Sequence, residues 1–108
     1  MSLSKESQEG IQRLQILEQN LQSLSSQKQQ FQSQLFEVEG ALKELSSSPS
    51  AFKIVGGIMI SADKSVLTEE LNGRKELLEL RVQALEKQEK QLKDKVKSLQ
   101  DEVLSKKE

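Results

Sequence analysis

The stretch FKIVGGIMIS, Phe52 to Ser61, interrupts a chain whose remaining sequence has the pattern of long helices. It is rich in β-branched and other apolar residues, and two adjacent glycines stand at its centre. Gly56 and Gly57 can adopt the positive φ angles of a two-residue hairpin turn, which makes Val55 the partner of Ile58. The sequence therefore predicts one short β-hairpin in the middle of an otherwise helical chain.

Both faces of this hairpin are mostly apolar. The turn pairs Ile54 with Met59, so one face carries Phe52, Ile54, Met59 and Ser61, and the other carries Lys53, Val55, Ile58 and Ile60. A lone two-stranded hairpin is marginally stable in water, and its edges are open to further pairing. Packing against the chain's own helices would cover one face, but not both faces or the edges. We therefore predict that the hairpins of several subunits assemble through Phe52, Ile54, Val55, Ile58, Met59 and Ile60.

The composition excludes several classes of function. The 108 residues carry 16 basic and 17 acidic side chains, a balance that does not favour nucleic acid or an anionic membrane as the partner. The absence of cysteine and histidine removes disulfides, thiolate metal sites and the commonest general base. Only 3% of the residues are aromatic, which favours a thin, elongated core over a packed globule. We expect a cytoplasmic protein that is not an enzyme and needs no cofactor.

Two apolar seams flank the hairpin. In the first half, nine of ten positions spaced by three and four residues are apolar: Leu14, Leu17, Leu21, Leu24, Lys28, Phe31, Leu35, Val38, Leu42 and Leu45. In the second half, eight of ten are apolar: Leu71, Lys75, Leu78, Val82, Leu85, Glu89, Leu92, Val96, Leu99 and Val103. This spacing is the heptad pattern of a coiled coil.

The two seams match each other when the chain folds back on itself. In antiparallel order Val38 faces Leu78, and the polar interruptions Lys28 and Glu89 also face each other. Such a pair of opposite charges in an apolar seam specifies the register. The same pair invites an interpretation as a buried acid and base, but the sequence offers no pocket around it and no histidine. The prediction is one antiparallel coiled-coil hairpin of two long helices.

The boundaries follow from the linker chemistry. We expect a single domain over 1–108, with helix one over 1–47, the β-hairpin over 51–62 and helix two over 64–107. Pro49 ends helix one because its ring disfavours a helical conformation at Ser48. Asp63 or Ser65 can cap helix two. Gly73 costs a helix about 1 kcal/mol relative to alanine, so we expect a local irregularity there.

The arrangement of helix, FKIVGGIMI hairpin, and a second helix with LLELRVQALEKQEKQLKDKVKSLQ resembles the β-class subunits of prefoldin. The resemblance covers nearly the whole chain. It rests on the aromatic-Lys-x-Val-Gly opening from Phe52 to Gly56, on the apolar strand after it, and on the charged second helix. The α-class subunits carry two hairpins, whereas this chain has one.

The resemblance implies a molecular chaperone that works without ATP hydrolysis. Two α-class and four β-class subunits would form a hexamer whose hairpins build a β-barrel body. The tips of the coiled coils would capture non-native polypeptides and pass them to a group II chaperonin.

The two free helix ends are the predicted substrate-binding tips. The last good seam pair is Leu14 with Val103. Beyond it, Gly10 would face Lys106 and bury nothing, so we expect frayed ends that expose unpartnered apolar side chains. The predicted contact residues are Leu3, Ile11, Leu14, Leu99, Val103 and Leu104. The alternative is that these are ordinary surface residues near disordered termini.

A second function class remains open at this stage. The same helices suit an interaction scaffold whose hairpin docks one specific folded partner. Saturable binding to a single protein, without any effect on aggregating clients, would favour that scaffold.

Overall fold

The computed structural model describes residues 4–105 of the chain. Their element order is α1 (Lys5–Ser47), β1 (Ala51–Val55), β2 (Ile58–Ala62) and α2 (Lys64–Ser105). Two long helices therefore flank one two-stranded antiparallel sheet. This confirms the predicted fold class of a mainly helical chain with a single central hairpin.

The described residues group into two compact units. The terminal unit comprises residues 4–29 and 83–105, and the hairpin unit comprises residues 30–82. The buried apolar residues of the hairpin unit are Val38, Leu45, Ala51, Leu78 and Val82. In the terminal unit Leu85 is buried, and so are Ser7 and Glu89. Apart from Ala51, the buried apolar positions belong to the predicted seams, so the heptad pattern identified the side chains that form the core.

The hairpin has the predicted register. Val55 pairs with Ile58 and Ile54 with Met59. Gly56 and Gly57 have φ angles of 56° and 77°, a left-handed conformation that residues with a β-carbon rarely adopt. The double glycine therefore closes the strands into a tight two-residue turn whose twist matches that of the strands.

Polar side chains cap the N-terminal ends of both helices. Ser4 caps α1, because its Oγ accepts a hydrogen bond of 3.1 Å from the backbone N–H of Ser7. Asp63 caps α2: its Oδ1 accepts from the N–H groups of Ser65 at 2.9 Å and Val66 at 3.3 Å. Of the two capping residues that the sequence allowed, the structure selects Asp63, and Ser65 donates its hydroxyl to the same carboxylate at 2.8 Å.

Lys64 links the two helices at the base of the hairpin. Its Nζ donates to the carbonyl oxygens of Ser48 at 2.8 Å and Ser46 at 3.4 Å. A lysine in the first turn of α2 lies at the positive end of that helix dipole, which is unfavourable by itself. The carbonyl oxygens at the negative end of α1 compensate, because they accept hydrogen bonds from the ammonium group.

The expected irregularity at Gly73 is wrong. The helix α2 runs without interruption through this residue. A β-carbon placed on Gly73 would meet no atom within 4 Å. The intrinsic cost of one glycine is small compared with the packing of a 42-residue helix, so the helix continues through it.

Candidate functional site

The six hairpin residues predicted for assembly are all exposed. Their exposed fractions run from 41% at Ile60 to 71% at Ile54, and the members are Phe52, Ile54, Val55, Ile58, Met59 and Ile60. We call this set the hairpin surface. The chain's own helices therefore do not cover either face, although Ala51 at the start of β1 is buried. A large apolar surface on a small unit is typical of a binding interface.

The edges of the hairpin are also open. The sheet of the described chain has two strands, so each strand has one edge without a β partner. Backbone N–H and C=O groups along such an edge can pair with a further strand. The arrangement suits addition of strands from other polypeptides, with the exposed apolar side chains packing on both faces of the enlarged sheet.

Two of the predicted tip residues, Leu99 and Val103, line one concavity at the end of the terminal unit. Ile11, Leu14, Leu99 and Val103 are half-buried, and Leu104 is 65% exposed. Leu3 lies outside the described residues. This small concavity is lined by Gly10, Leu99 and Val103 together with Glu6, Glu9, Arg13 and Glu102. The apolar side chains therefore lie within a rim that is mostly acidic.

Within the described residues the helix ends are not frayed, which corrects the expectation from the seam rule. The helix α1 begins at Lys5, and α2 continues to Ser105. Gly10 is buried, and a β-carbon on it would lie 2.6 Å from Cγ2 of Val103. The absence of a side chain at Gly10 therefore leaves the space that Val103 occupies. The expected partner Lys106 lies outside the described residues.

The apolar pattern of the sequence does not mark Ser7 and Gly10 as buried positions, because both side chains are small. They precede Leu14 by seven and four residues, so they continue the heptad spacing of the first seam. Small residues at seam positions allow two helices to approach closely, as their side chains take up little space between the backbones. The spacing itself was the signal that could have identified them.

Lys28 and Glu89 form an ion pair within the terminal unit. Nζ of Lys28 lies 2.7 Å from Oε1 of Glu89, and the side chains are 23% and 9% exposed. The hydrogen bond to Glu89 raises the pKa of Lys28, and the same bond lowers the pKa of Glu89, in each case against the effect of burial. Both groups are therefore held in their charged forms.

The hairpin unit has two further surfaces. Phe36 lies outside the seam, and at 78% it is the most exposed large apolar side chain of the described residues. On the hairpin unit, Phe31, Leu77, Arg74 and Arg81 line a groove of about 420 Å³. The guanidinium carbon of Arg81 lies 5.5 Å from the centre of the Phe31 ring, a cation–π distance.

Two further findings concern other kinds of site. Across residues 4–105, no group of three or more histidine, cysteine, aspartate or glutamate side chains is arranged to hold a metal ion. In the same part of the chain, neither helix has an apolar stretch long enough to cross a membrane.

Comparison with known proteins agrees with this architecture. A family model described as "Prefoldin subunit" matches residues 8–107. The protein named "Prefoldin subunit beta" from Sulfurisphaera tokodaii is 42% identical over 72 residues, which are 64% of this chain and 58% of that protein. The protein of the same name from Methanothrix thermoacetophila is 40% identical over 79 residues, which are 70% of this chain and 66% of that protein.

A solved structure extends the similarity to nearly the whole chain. The crystal structure of the prefoldin beta subunit from Thermococcus strain KS-1 superimposes with a TM-score of 0.91 at 34% sequence identity. It covers 96% of this chain and 94% of that one. The matches to the curated relatives span less than two thirds of those proteins' own lengths. The family model nevertheless matches residues 8–107, and the chain belongs to the prefoldin subunit family.

Proposed function

We propose that this chain is a subunit of an ATP-independent holdase chaperone. Its hairpin joins the hairpins of an α-class prefoldin subunit and of further copies of this chain in a closed β-barrel body, forming a hetero-hexamer. The ends of its coiled coil capture non-native polypeptides in the cytoplasm and deliver them to a group II chaperonin. Membership of the prefoldin subunit family supports a chaperone-type role.

The observation that carries the assembly step is the exposure of the whole hairpin surface. Six apolar side chains, on both faces of one two-stranded sheet, remain open to solvent. Their burial yields free energy in proportion to the apolar area removed from water, about 25 cal/mol per Å². A sheet that closes into a barrel removes both edges and encloses one of the two apolar faces, so a barrel accounts for the open edges and for the inner face of the hairpin.

The observation that supports capture is the end of the terminal unit. Leu104 is exposed, and the half-buried apolar residues beside it come from both helices. Apolar side chains grouped on a shallow surface can contact many sequences without demanding one shape. This is the chemistry that a chaperone needs for clients whose exposed segments differ.

The test of assembly is the absolute mass in solution. Light scattering is recorded for the full chain alone and after mixing with an α-class prefoldin subunit. We expect a discrete tetramer alone or a hexamer in the mixture. Replacing Ile54 and Met59 by Ser removes a cross-strand apolar pair and is expected to leave a monomer of about 12 kDa. A wild-type monomer under both conditions would exclude the barrel and favour the single-partner scaffold.

The test of chaperone function uses an unfolded client. Addition of the assembled complex is expected to suppress aggregation of a chemically denatured protein without ATP. A fluorescently labelled client should then move from the complex to a group II chaperonin. Binding to one folded protein, with no effect on aggregation, would contradict the proposed function.

A further inference from the structure

The two flanks of the hairpin unit differ in charge. One flank contains the groove with Arg74, Leu77 and Arg81, where Leu77 is 51% exposed and both arginines are exposed. Glu37 also lines the groove, but neither arginine forms an ion pair within the described part of the chain. We call this flank the arginine groove: an apolar side chain between two arginines without carboxylate partners.

The other flank carries Phe36. Successive residues of a helix are turned by about 100°, which places Phe36 on the side of α1 opposite Gln34, a groove residue. Glu39 lies three residues after Phe36 and shares its side. On α2, the same geometry places Glu76 on the side away from Arg74 and Arg81. Phe36, Glu39 and Glu76 therefore form what we call the Phe36 face.

The charges on the Phe36 face are available for a partner. Glu39 and Glu76 are exposed, and neither forms an ion pair with a described residue. Glu79 is on this flank too, but it is engaged by Lys75 at 3.9 Å. Lys43, two turns closer to the hairpin than Phe36, ends the acidic stretch. The flank thus carries an exposed aromatic ring and two exposed carboxylates that form no ion pair with a described residue.

We infer that the arginine groove of one copy receives the Phe36 face of a second copy of this chain. The apolar centres match, because Leu77 and Phe36 are both exposed, and the charges around them are opposite in sign. This inference rests on the proposed assembly through the hairpins. A second groove, lined by Ile54 of the hairpin and by Arg74, continues the surface from the hairpin into the arginine groove. The arginine groove therefore lies next to the surface through which the copies are proposed to join.

The contact is head-to-tail, because the two complementary surfaces lie on opposite flanks of the same unit. Contacts of this kind propagate in one direction around an assembly and close it into a ring when the rotation allows. The coiled coils of adjacent copies would then be held side by side at the base. Contacts between the hairpins drive assembly, and contacts between the flanks set the orientation of each copy relative to its neighbour.

Charge reversal tests the contact with the full chain under the conditions where it assembles. One version carries Arg74→Glu and Arg81→Glu, and the other carries Glu39→Arg and Glu76→Arg. Each version alone sets like charges against each other, and we expect its assembly to be at least tenfold weaker by light scattering at low salt. An equimolar mixture restores opposite charges at every contact, so its assembly should return to the wild-type level.

Two further samples complete the test. Lys87→Glu with Lys90→Glu makes the same change in charge on exposed positions of the terminal unit, and it should leave assembly unchanged. Leu77→Ser should weaken assembly about tenfold, since it removes the apolar centre. Normal assembly of both reversed versions would overturn the contact and leave the barrel intact. A defect in either version that the mixture does not correct would assign the flank to a different partner. Failure of the wild-type chain to assemble would overturn both proposals.

Discussion

Nζ of Lys28 lies 2.7 Å from Oε1 of Glu89, so two of the three polar residues that interrupt the apolar seams contact each other across 61 positions of sequence. The carboxylate is buried, and the ammonium group is partly exposed. A buried charge that loses its partner keeps its desolvation cost without the compensating attraction. The pair therefore opposes any shift of one helix along the other, because a shift would separate the charges.

Removing one member of the pair is expected to destabilise the fold more than removing both. Lys28→Leu leaves Glu89 buried and unpaired and should lower the melting temperature by several degrees. The double variant Lys28→Leu with Glu89→Leu should recover most of that loss, because an apolar pair suits the seam. Thermal unfolding followed by circular dichroism measures both.

Lys75→Leu serves as the matched control for this pair. Lys75 also interrupts a seam, but its ion pair with Glu79 spans 3.9 Å and both side chains are more than a third exposed. Exposed pairs contribute little, so Lys75→Leu should change the melting temperature only slightly. Equal losses from the single and double variants of Lys28 and Glu89 would contradict a role in register.

The pH dependence follows from the same pair. The pKa of Glu89 is lowered from about 4.5, so its contribution is present above that value and is lost as the pH falls through the lower, folded-state pKa. The pKa of Lys28 is raised from about 10.5, so its contribution is present below that value and is lost as the pH rises through the higher, folded-state pKa. The stabilisation by the pair is therefore constant between about pH 5 and pH 10.

Urea unfolding at about pH 7 and pH 3 measures this dependence. The urea concentration at the unfolding midpoint should fall further on acidification for the wild-type chain than for the double Leu variant, which lacks both groups. Asp63 contributes to the acid loss in both proteins equally, since the hydrogen bond from the Ser65 side chain and those from backbone N–H groups lower its pKa. Identical acid profiles for the two proteins would mean that the pair does not couple folding to pH.

Gly10 is predicted to be the one described helical glycine that does not tolerate alanine. A β-carbon there would overlap Cγ2 of Val103 at 2.6 Å. Overpacking costs about 1–3 kcal/mol, and the gain in helix propensity is about 1 kcal/mol, so Gly10→Ala should lower the free energy of unfolding by about 1 kcal/mol. Adding Val103→Ala should relieve the overlap and recover part of the loss.

Gly40→Ala and Gly73→Ala are the controls for this experiment. Neither new β-carbon meets another atom within 4 Å, so each variant should gain about 0.5–1 kcal/mol from helix propensity alone. Chemical denaturation measures all of these variants. A stabilised Gly10→Ala variant would show that Val103 moves aside without cost and that the close approach of the helices is not required there.

Leu104 separates client capture from folding. It is 65% exposed, whereas Val103 beside it packs against Gly10, so Leu104→Ser should reduce suppression of client aggregation while the melting temperature changes little. Replacing Ile11, Leu14, Val103 and Leu104 together by Ser should reduce it further with assembly intact. Leu80→Ser, at a similarly exposed position in the hairpin unit, should leave capture unchanged. If the variant with all four substitutions assembles normally and still suppresses client aggregation fully, capture at this end is excluded.

The helices, the strands and the pairing within the hairpin follow from local patterns in the sequence. Heptad spacing is a property of the helix repeat, so the seams identified Val38, Leu78 and Val82 as core residues without any coordinates. The register of the hairpin follows from Gly56 and Gly57 for a similar reason, since the two-residue turn leaves no other pairing for Val55 and Ile58. Both constraints act between residues that are close together in the sequence.

Features that depend on how closely two segments approach each other are seen in three dimensions alone. Gly10 reads in the sequence as the end of the seam, yet in three dimensions it accommodates Val103. Gly73 reads as a weak point, yet the packing of α2 carries the helix through it. Lys64 lies at the start of α2, and its Nζ donates hydrogen bonds to the carbonyl oxygens of Ser46 and Ser48, which belong to a different segment of the chain. In each case the energy comes from a neighbour distant in sequence, and spacing along one chain segment does not contain that neighbour.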